Sequence, residues 1–451
     1  MIFLIFSSIE FLLWFLPIFL IVYGITPRKY RNLTLLVGSI VFYAMGDVRY
    51  LPLLMISILC NYFLGLHLAK RSPKTLWRKK LLLILTLGAN LAVLLWFKDW
   101  GGSAGLPLGI SFYTFQILSY QIDVYRGEVS REYSFLKFAT YVSMFPKLIS
   151  GPITRYGDIS DSLTERTFTV RGLEDGMKLF ILGLAAKVLL ADRVGILWHE
   201  VQVTGFESIS TPLAWLAAIA YSMEIYFDFW GYSRMAVGLG HMLGFSLPRN
   251  FDHPYAARTM TDFWRRWHIT LGAWFRDYVY IPMGGSRQGM PRTILNLLVV
   301  WLLTGIWHGS TWNFLLWGLL IFLLIALEKL GLGPFLERHR KVARVYMLLA
   351  IPLTWLLFAV PDVGQIGIYL TRLFPFFGGG IAVNRGDFLR YGKQFGLFLV
   401  LGFLLSSPWP ERIWVRIRSS AVGTAVCLLL FWVAVYYISV SVNDPFMYFS
   451  F

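Results

Sequence analysis

The residues best suited to chemistry in this chain are two histidines set among aromatic and small residues. His308 lies in GIWHGSTWNF (305–314), within a 35-residue run, 293–327, that holds no Asp, Glu, Lys or Arg. Such a run is too long for one ordinary membrane helix and rather short for two. The cluster of Gly305, Gly309, Ser310 and Thr311 is the natural place for it to break. A helical half of about 15 residues rises roughly 22 Å, so the pattern predicts two short helices that meet well inside the protein, with His308 at the interruption. Irregular backbone at that depth is tolerated only when buried in protein or lining a cavity. A neutral imidazole there suits a general base in a polar tunnel. It would serve equally to hydrogen-bond carbonyls freed by the break, and the residues alone leave both readings open.

The second histidine, His268, belongs to FWRRWHITLGAWFRDYVYIPMGG (263–285). Here Phe263, Trp264, Trp267, Trp274 and Phe275 interleave with Arg265, Arg266, Arg276 and Asp277. This is the pattern of an amphipathic helix at a membrane interface, rings at headgroup level and guanidinium groups toward phosphate or water. Composition alone favours such an anchor. The functional reading puts Arg265, Arg266 and Arg276 beside an anionic donor entering from the cytoplasm, with His268 on the tunnel side, because the guanidinium fork matches phosphate oxygens.

A third group is Glu224 and Asp228, spaced i,i+4 on one helix face, with Lys187 and Asp192 in another apolar segment. A proton relay would use these residues, but buried charges usually find partners, which favours an ion-pair network between helices, with Arg234 a further member. His67, His199, His241, His253 and His339 form no metal pair, Cys60 and Cys427 lie singly in apolar stretches, and no nucleotide-binding glycine pattern or GxSxG elbow occurs. No metal is implied.

The elements that position these groups follow from composition. Of 451 residues 57% are hydrophobic and 15% charged, with a net charge of +16. A soluble domain carries roughly 25% charged residues, so a soluble enzyme, a disordered chain and a disulfide scaffold are all excluded. The bases sit in short clusters between apolar runs, which speaks against nucleic-acid binding. Uncharged stretches at 11–27, 32–46, 50–69, 81–97, 100–122, 293–327, 345–361, 394–410 and 419–443, with less clean ones near 135–150, 178–198 and 208–248, predict an all-α polytopic membrane protein of eleven or twelve membrane helices, some short or re-entrant. The apolar N-terminus lacks a cleavage signal and is expected to remain as the first helix. Without a linker or a repeat, residues 1–451 read as a single integral-membrane domain. Basic clusters at 28–31, 70–80, 338–344 and 412–418 fall on one side if the intervening segments cross in pairs. The segment 249–292, with seven Arg against three Asp, joins them on the cytoplasmic face.

Several segments together resemble the membrane-bound O-acyltransferase (MBOAT) family, in its bacterial polysaccharide branch typified by the membrane subunit of alginate O-acetyltransferase. They are SFYTFQILSYQIDVYRG (111–127), FPKLISGPITRY (145–156), FDFWGYSRMAVGLGHMLGF (227–245), NFDHPYAARTMTDFWRRWHITLGAWFRDYVYIPMGG (250–285), GIWHGSTWNFLLWG (305–318) and the final DPFMYFSF (444–451). The resemblance implies a ring of membrane helices around a central tunnel, His308 as the active-site histidine, and His268 as a second characteristic residue that orients the acyl group or stabilises the oxyanion. It implies acetyl-CoA as donor, an extracytoplasmic polysaccharide as acceptor, and an esterase-like partner in the periplasm or outside the cell. The IPMGG continuation resembles the acetyltransferase branch rather than the branch transferring D-alanine to teichoic acids. Lys147 and Arg234 differ from the residues expected in alginate proteins, so peptidoglycan, cellulose or another exopolysaccharide stays open as acceptor. A rival of another class, a transporter or flippase of an acyl or sugar intermediate, would draw on Glu224, Asp228 and Lys187, without the inverted repeat many transporters carry.

Overall fold

The computed structural model describes residues 4–68, 76–100, 105–375, 384 and 386–440. The segment DPFMYFSF and part of the basic cluster at 70–80 lie outside these residues. Among the described residues every regular element is helical. They group into two compact units: 4–184 with 232–249 and 435–440, and 185–231 with 250–434.

The first unit contains α1 (Leu16–Ile25), α2 (Arg31–Asp47), α3 (Leu51–Leu68), α4 (Leu76–Leu95), α5 (Ile110–Arg126), α6 (Phe135–Ser143), α7 (Phe145–Leu148), α8 (Tyr156–Thr164) and nearly all of α9 (Val170–Ala185). α5 is buried almost all round, and α3 and α4 pack against it. It carries buried Gln116, Ser119, Gln121 and Asp123, which would be costly against lipid and are enclosed by protein instead. The Gln121 amide donates to the Asn61 carbonyl at 2.7 Å, and Asn61 and Asn90 exchange hydrogen bonds at 3.0 Å. A stack of Phe6, Phe11, Phe15, Phe42 and Phe145 fills the centre, ring centroids 5.0–6.4 Å apart. Buried Lys147 donates to Gln116 Oε1 and lies 4.2 Å from the Tyr141 ring centre.

The second unit contains α10 (Asp192–Thr204), the part of α11 (Thr211–Met242) up to Gly231, α12 (Met260–Arg266), α13 (Ile269–Phe275), α14 (Gly289–His308), α15 (Trp312–Leu327), α16 (Gly333–Arg338), α17 (Arg340–Ala359), α18 (Val363–Leu373), α19 (Asp387–Leu405), α20 (Trp409–Ile417) and most of α21 (Ala421–Val440). Side chains cap several starts: Thr259 accepts from the Asp262 amide at 3.0 Å and Asp362 from the Gln365 amide at 2.7 Å.

Seven helical segments among the described residues are long and apolar enough to cross a membrane: Arg28–Leu68, Leu76–Lys98, Gly289–His308, Trp312–Arg338, Arg340–Ala359, Asp387–Leu405 and Ala421–Val440. The first comprises α2 and α3, joined by a 3-10 turn. Their outer faces are rows of exposed Leu, Ile, Val and Phe, as in Leu81, Ile84, Leu85 and Val93 of α4. Such a surface is unsuited to water and suited to lipid. The other expected spans, at 11–27, 100–122, 135–150, 178–198 and 208–248, hold helices that are shorter or more polar.

Candidate active site

α14 and α15 form an antiparallel hairpin whose backbones nearly touch. A Cβ on Gly305 would lie 2.7 Å from the Phe314 carbonyl oxygen, and one on Gly318 2.5 Å from that of Trp301. Only glycine permits this approach. The run breaks where expected. α14 ends at His308, Gly309 is fully extended, and Thr311 opens the return helix. Neither half is short, however. α14 has 20 residues, about 30 Å, and α15 continues through a kink to Arg338. The long apolar run is therefore one turn joining two membrane-length helices. Ser310, Thr311 and Trp312 in that turn are exposed, whereas His308 is buried. Asn313, fully buried, donates to the carbonyls of Leu357 and Phe358 at 3.2 Å each and so ties the turn to α17.

The His308 ring is enclosed by aromatic groups. Its centre lies 4.6 Å from Trp307, 4.9 Å from Phe358, 5.0 Å from Trp317 and 6.0 Å from Phe314. Beyond it Trp264, Trp267, Trp301 and Trp355 continue the cluster at 4.8–6.3 Å. The single amphipathic helix expected over 263–285 is absent. α12 and α13 are two short helices, and Phe263, Trp267, Trp274 and Phe275 are buried in the protein rather than spread at an interface. Composition cannot distinguish rings destined for headgroups from rings destined for a core.

His268 makes the corner between them with left-handed backbone, φ 44° and ψ 53°. Outside glycine this region is sparsely used, although His, Asn and Asp enter it more readily than most. Asn250 holds the corner in place. Its carbonyl accepts from the Ile269 amide at 2.9 Å, and its side-chain Oδ1 accepts from the Thr270 amide at 3.2 Å and the Thr270 hydroxyl at 2.8 Å. His268 Nδ1 lies 3.1 Å from the same oxygen. A backbone N–H can only donate, so this atom is the acceptor and Nδ1 carries the ring proton. Burial alone pushes the imidazole down, to about 3, and keeps it neutral. A neutral ring with its proton on Nδ1 presents Nε2 as an acceptor. A neutral ring so protonated has no second N–H to give, and its Nε2 is suited to accept from a hydroxyl. The ring packs edge-on to Phe229 at 4.8 Å and lies 6.4 Å from Trp307, which thus contacts both histidines.

The start of α12 is fixed by Glu328, a buried carboxylate at the end of α15. It accepts from the amides of Met260 at 2.5 Å and Thr261 at 2.8 Å, from the Thr261 hydroxyl at 2.6 Å, and from Tyr346 at 3.1 Å. An anion at a helix N-terminus is favoured by the helix dipole. Neither Asn250 nor Glu328 was marked by motif. Their signals were slight: an asparagine opening the NFDHPY segment, and a lone acid closing a long uncharged run.

The three arginines stand elsewhere. Arg265 and Arg266 bond Asp262 at 2.5 and 2.9 Å, and Arg276 bonds Asp277 at 2.7 Å. Arg265 and Arg276 are largely exposed and outside the buried cluster. Asp228 and Asp192 both bond Lys187, at 2.8 and 2.6 Å, making the expected ion network. Glu224 packs its carboxyl group against Gly195. Arg234 belongs to the other unit.

Residues 40–359 match the family model described as MBOAT, membrane-bound O-acyltransferase family. The chain is 35% identical to a probable alginate O-acetylase AlgI of Pseudomonas putida, over 99% of this chain and 100% of that protein. It is 36% identical to a peptidoglycan O-acetyltransferase of Helicobacter pylori, over 70% of this chain and 69% of that one. To a teichoic acid D-alanyltransferase of Streptococcus thermophilus it is 29% identical, over 47% and 54%. With its membrane-length helices, buried histidine pair and this match across most of its length, the chain belongs to the membrane-bound O-acyltransferase family, as a multi-pass membrane acyltransferase.

Proposed function

We propose that this protein moves acetyl groups from cytoplasmic acetyl-CoA across the bacterial inner membrane for O-acetylation of an extracytoplasmic polysaccharide. The observation that carries the reading is the meeting of two buried imidazoles on one indole, Trp307, inside an aromatic shell. The relatives named for O-acetylation of alginate and peptidoglycan match more of the chain, at higher identity, than the D-alanyltransferase does.

In the proposed reaction His308 takes the proton of the acceptor hydroxyl as its oxygen attacks the thioester carbonyl. The carbon–sulfur bond then breaks, and the CoA thiolate recovers the proton from the imidazolium. His268, through Nε2, accepts a hydrogen bond from a second donor of the acceptor, beside the attacking hydroxyl, and so orients it. Two buried donors without a hydrogen-bond partner among the described residues, Trp317 Nε1 and Asn250 Nδ2, are available to the developing oxyanion. The aromatic shell excludes water, which would otherwise hydrolyse the thioester. Arg265, Arg266 and Arg276 gather the CoA phosphates on the cytoplasmic side, where the excess of arginine in 249–292 orients this segment. An esterase-like partner in the periplasm or outside the cell receives the acetyl group and completes the ester on the polymer.

Purified protein supplied with radiolabelled acetyl-CoA tests the reading. Label should appear on an acceptor or partner, and His308→Ala should abolish it. Consumption of a D-alanyl carrier in place of acetyl-CoA, or substrate movement without acyl transfer, would overturn it.

A further inference from the structure

A cavity of about 360 Å³ opens in the second unit, between α11, α17 and the turn from α19 into α20, and neither His268 nor His308 lines it. Its size lies within the ~300–1,000 Å³ of small-ligand sites. Along α17 its lining residues are Arg344, Met347, Leu348, Ile351 and Pro352, a single helix face that descends about 12 Å from the arginine. The lining is therefore graded, with a cation at one end and an apolar channel, completed by Met223 of α11, at the other.

The charged end has the character of a headgroup region. Arg344 is exposed and has no hydrogen bond or ion pair among the described residues, unlike Arg265, Arg266 and Arg276. Beside it, Trp409 is 71% exposed and begins α20, a helix with no buried residue in which Arg412 and Arg416 alternate with Ile413 and Val415. A short helix of this kind, led by an exposed tryptophan, lies at the level of lipid headgroups. One bare guanidinium above an apolar channel, on a membrane-length helix, is complementary to an anion carrying an alkyl chain.

We propose that this cavity binds one acyl chain of an anionic phospholipid from the surrounding leaflet, with the lipid phosphate held by Arg344. The site is independent of the acetyl-transfer reading, and neither stands or falls with the other.

Native mass spectrometry of the purified full-length protein, titrated with dioleoylphosphatidylglycerol, tests this. One lipid should remain bound after delipidation. Arg344→Gln should weaken it about fivefold or more, while Arg340→Gln, one turn away and outside the cavity, leaves it unchanged. Leu348→Trp, at a half-exposed position that narrows the channel, should remove the lipid without lowering the melting temperature. Dioleoylphosphatidylcholine should bind more weakly, and neither inorganic phosphate nor oleate alone should displace the lipid at equal concentration. Equal losses in Arg344→Gln and Arg340→Gln would reduce the effect to bulk charge and overturn the site. Undiminished binding in both Arg344→Gln and Leu348→Trp, or displacement by phosphate alone, would also overturn it.

Discussion

The two histidines of the second unit are buried to a similar degree and held by opposite means. His308 ends a long helix and is gripped by four aromatic rings, its backbone set by the close glycine approach of α14 and α15. His268 sits in a left-handed corner and is gripped by a polar clamp, Asn250, which fixes its proton on Nδ1. A ring cage constrains where an imidazole lies by packing against its faces and edges. A polar clamp decides the tautomer in advance. A histidine that must take up and return a proton during turnover fits the cage, whereas one that holds an acceptor in a single orientation fits the clamp.

Removing the caged ring should have the largest effect. His308→Ala is expected to lower acetyl transfer by about 10²–10⁴-fold, the usual contribution of a general base. Turnover of radiolabelled acetyl-CoA, checked beside an unchanged elution profile, measures it. A smaller loss than that of His268→Ala would reverse the division of roles.

The clamp can be tested through Asn250 without touching either imidazole. Asn250→Ala removes the acceptor shared by His268 and Thr270, and loss of buried hydrogen bonds at about 1–3 kcal/mol predicts a tenfold to hundredfold fall in kcat. Asn250→Asp retains an acceptor and should restore much of the orientation, while its charge makes the imidazole more basic and shifts the pH–rate profile upward. Equal losses in the two variants would indicate packing rather than a tautomer clamp.

The two sites also differ in how plainly they stood in the sequence. The break beside His308 was legible because small residues interrupt an uncharged run, and the Lys187–Asp228 contact because an i,i+4 acid pair in an apolar segment must find a cation. Helix length was not, since a 35-residue run fits two half-helices or a tight hairpin equally well, and the choice rests on the approach at Gly305 and Gly318. The His268 corner has no glycine or proline to announce it. It exists because Asn250, distant along the chain, supplies its hydrogen bonds, and no local pattern encodes such a partner. The same holds for Glu328, whose partners include two backbone amides with no sequence signature.

Glu328 gives a prediction of intermediate size. Its carboxylate holds the start of α12, and thus the far end of the segment leading to His268. Glu328→Ala leaves two buried amides without their acceptor. At about 1.5–3 kcal/mol for each hydrogen bond to a charged group, this should lower the melting temperature by several degrees. Glu328→Gln, which retains one acceptor oxygen, should lose less. Because the clamp at Asn250 is untouched, kcat in the folded fraction should fall less than in Asn250→Ala. A larger fall would mean that the start of α12, and not the clamp, sets the His268 ring.

The smallest effect separates backbone conformation from burial. His253 is the other described non-glycine residue with left-handed backbone, φ 49°, but its surroundings are the reverse of those around His268. It is half-buried, with Nε2 3.1 Å from Glu411 and Nδ1 3.4 Å from Asp252, and the hydrogen bond to Glu411 raises its pKa against the opposing pull of burial. A raised folded pKa contributes stability that is fully present below the unfolded value of about 6.5 and is lost as pH rises through the folded value. The partner carboxylate is nearly half exposed, so the contribution falls in the ~0–1 kcal/mol range of surface pairs. Thermal melts from pH 6 upward should therefore show a shallow decline that Glu411→Gln flattens. His268, neutral at every pH in that range, should add nothing to the slope. A decline that persists in Glu411→Gln and disappears in His268→Gln would assign the titration to the buried corner, and would undo the claim that burial keeps that ring uncharged.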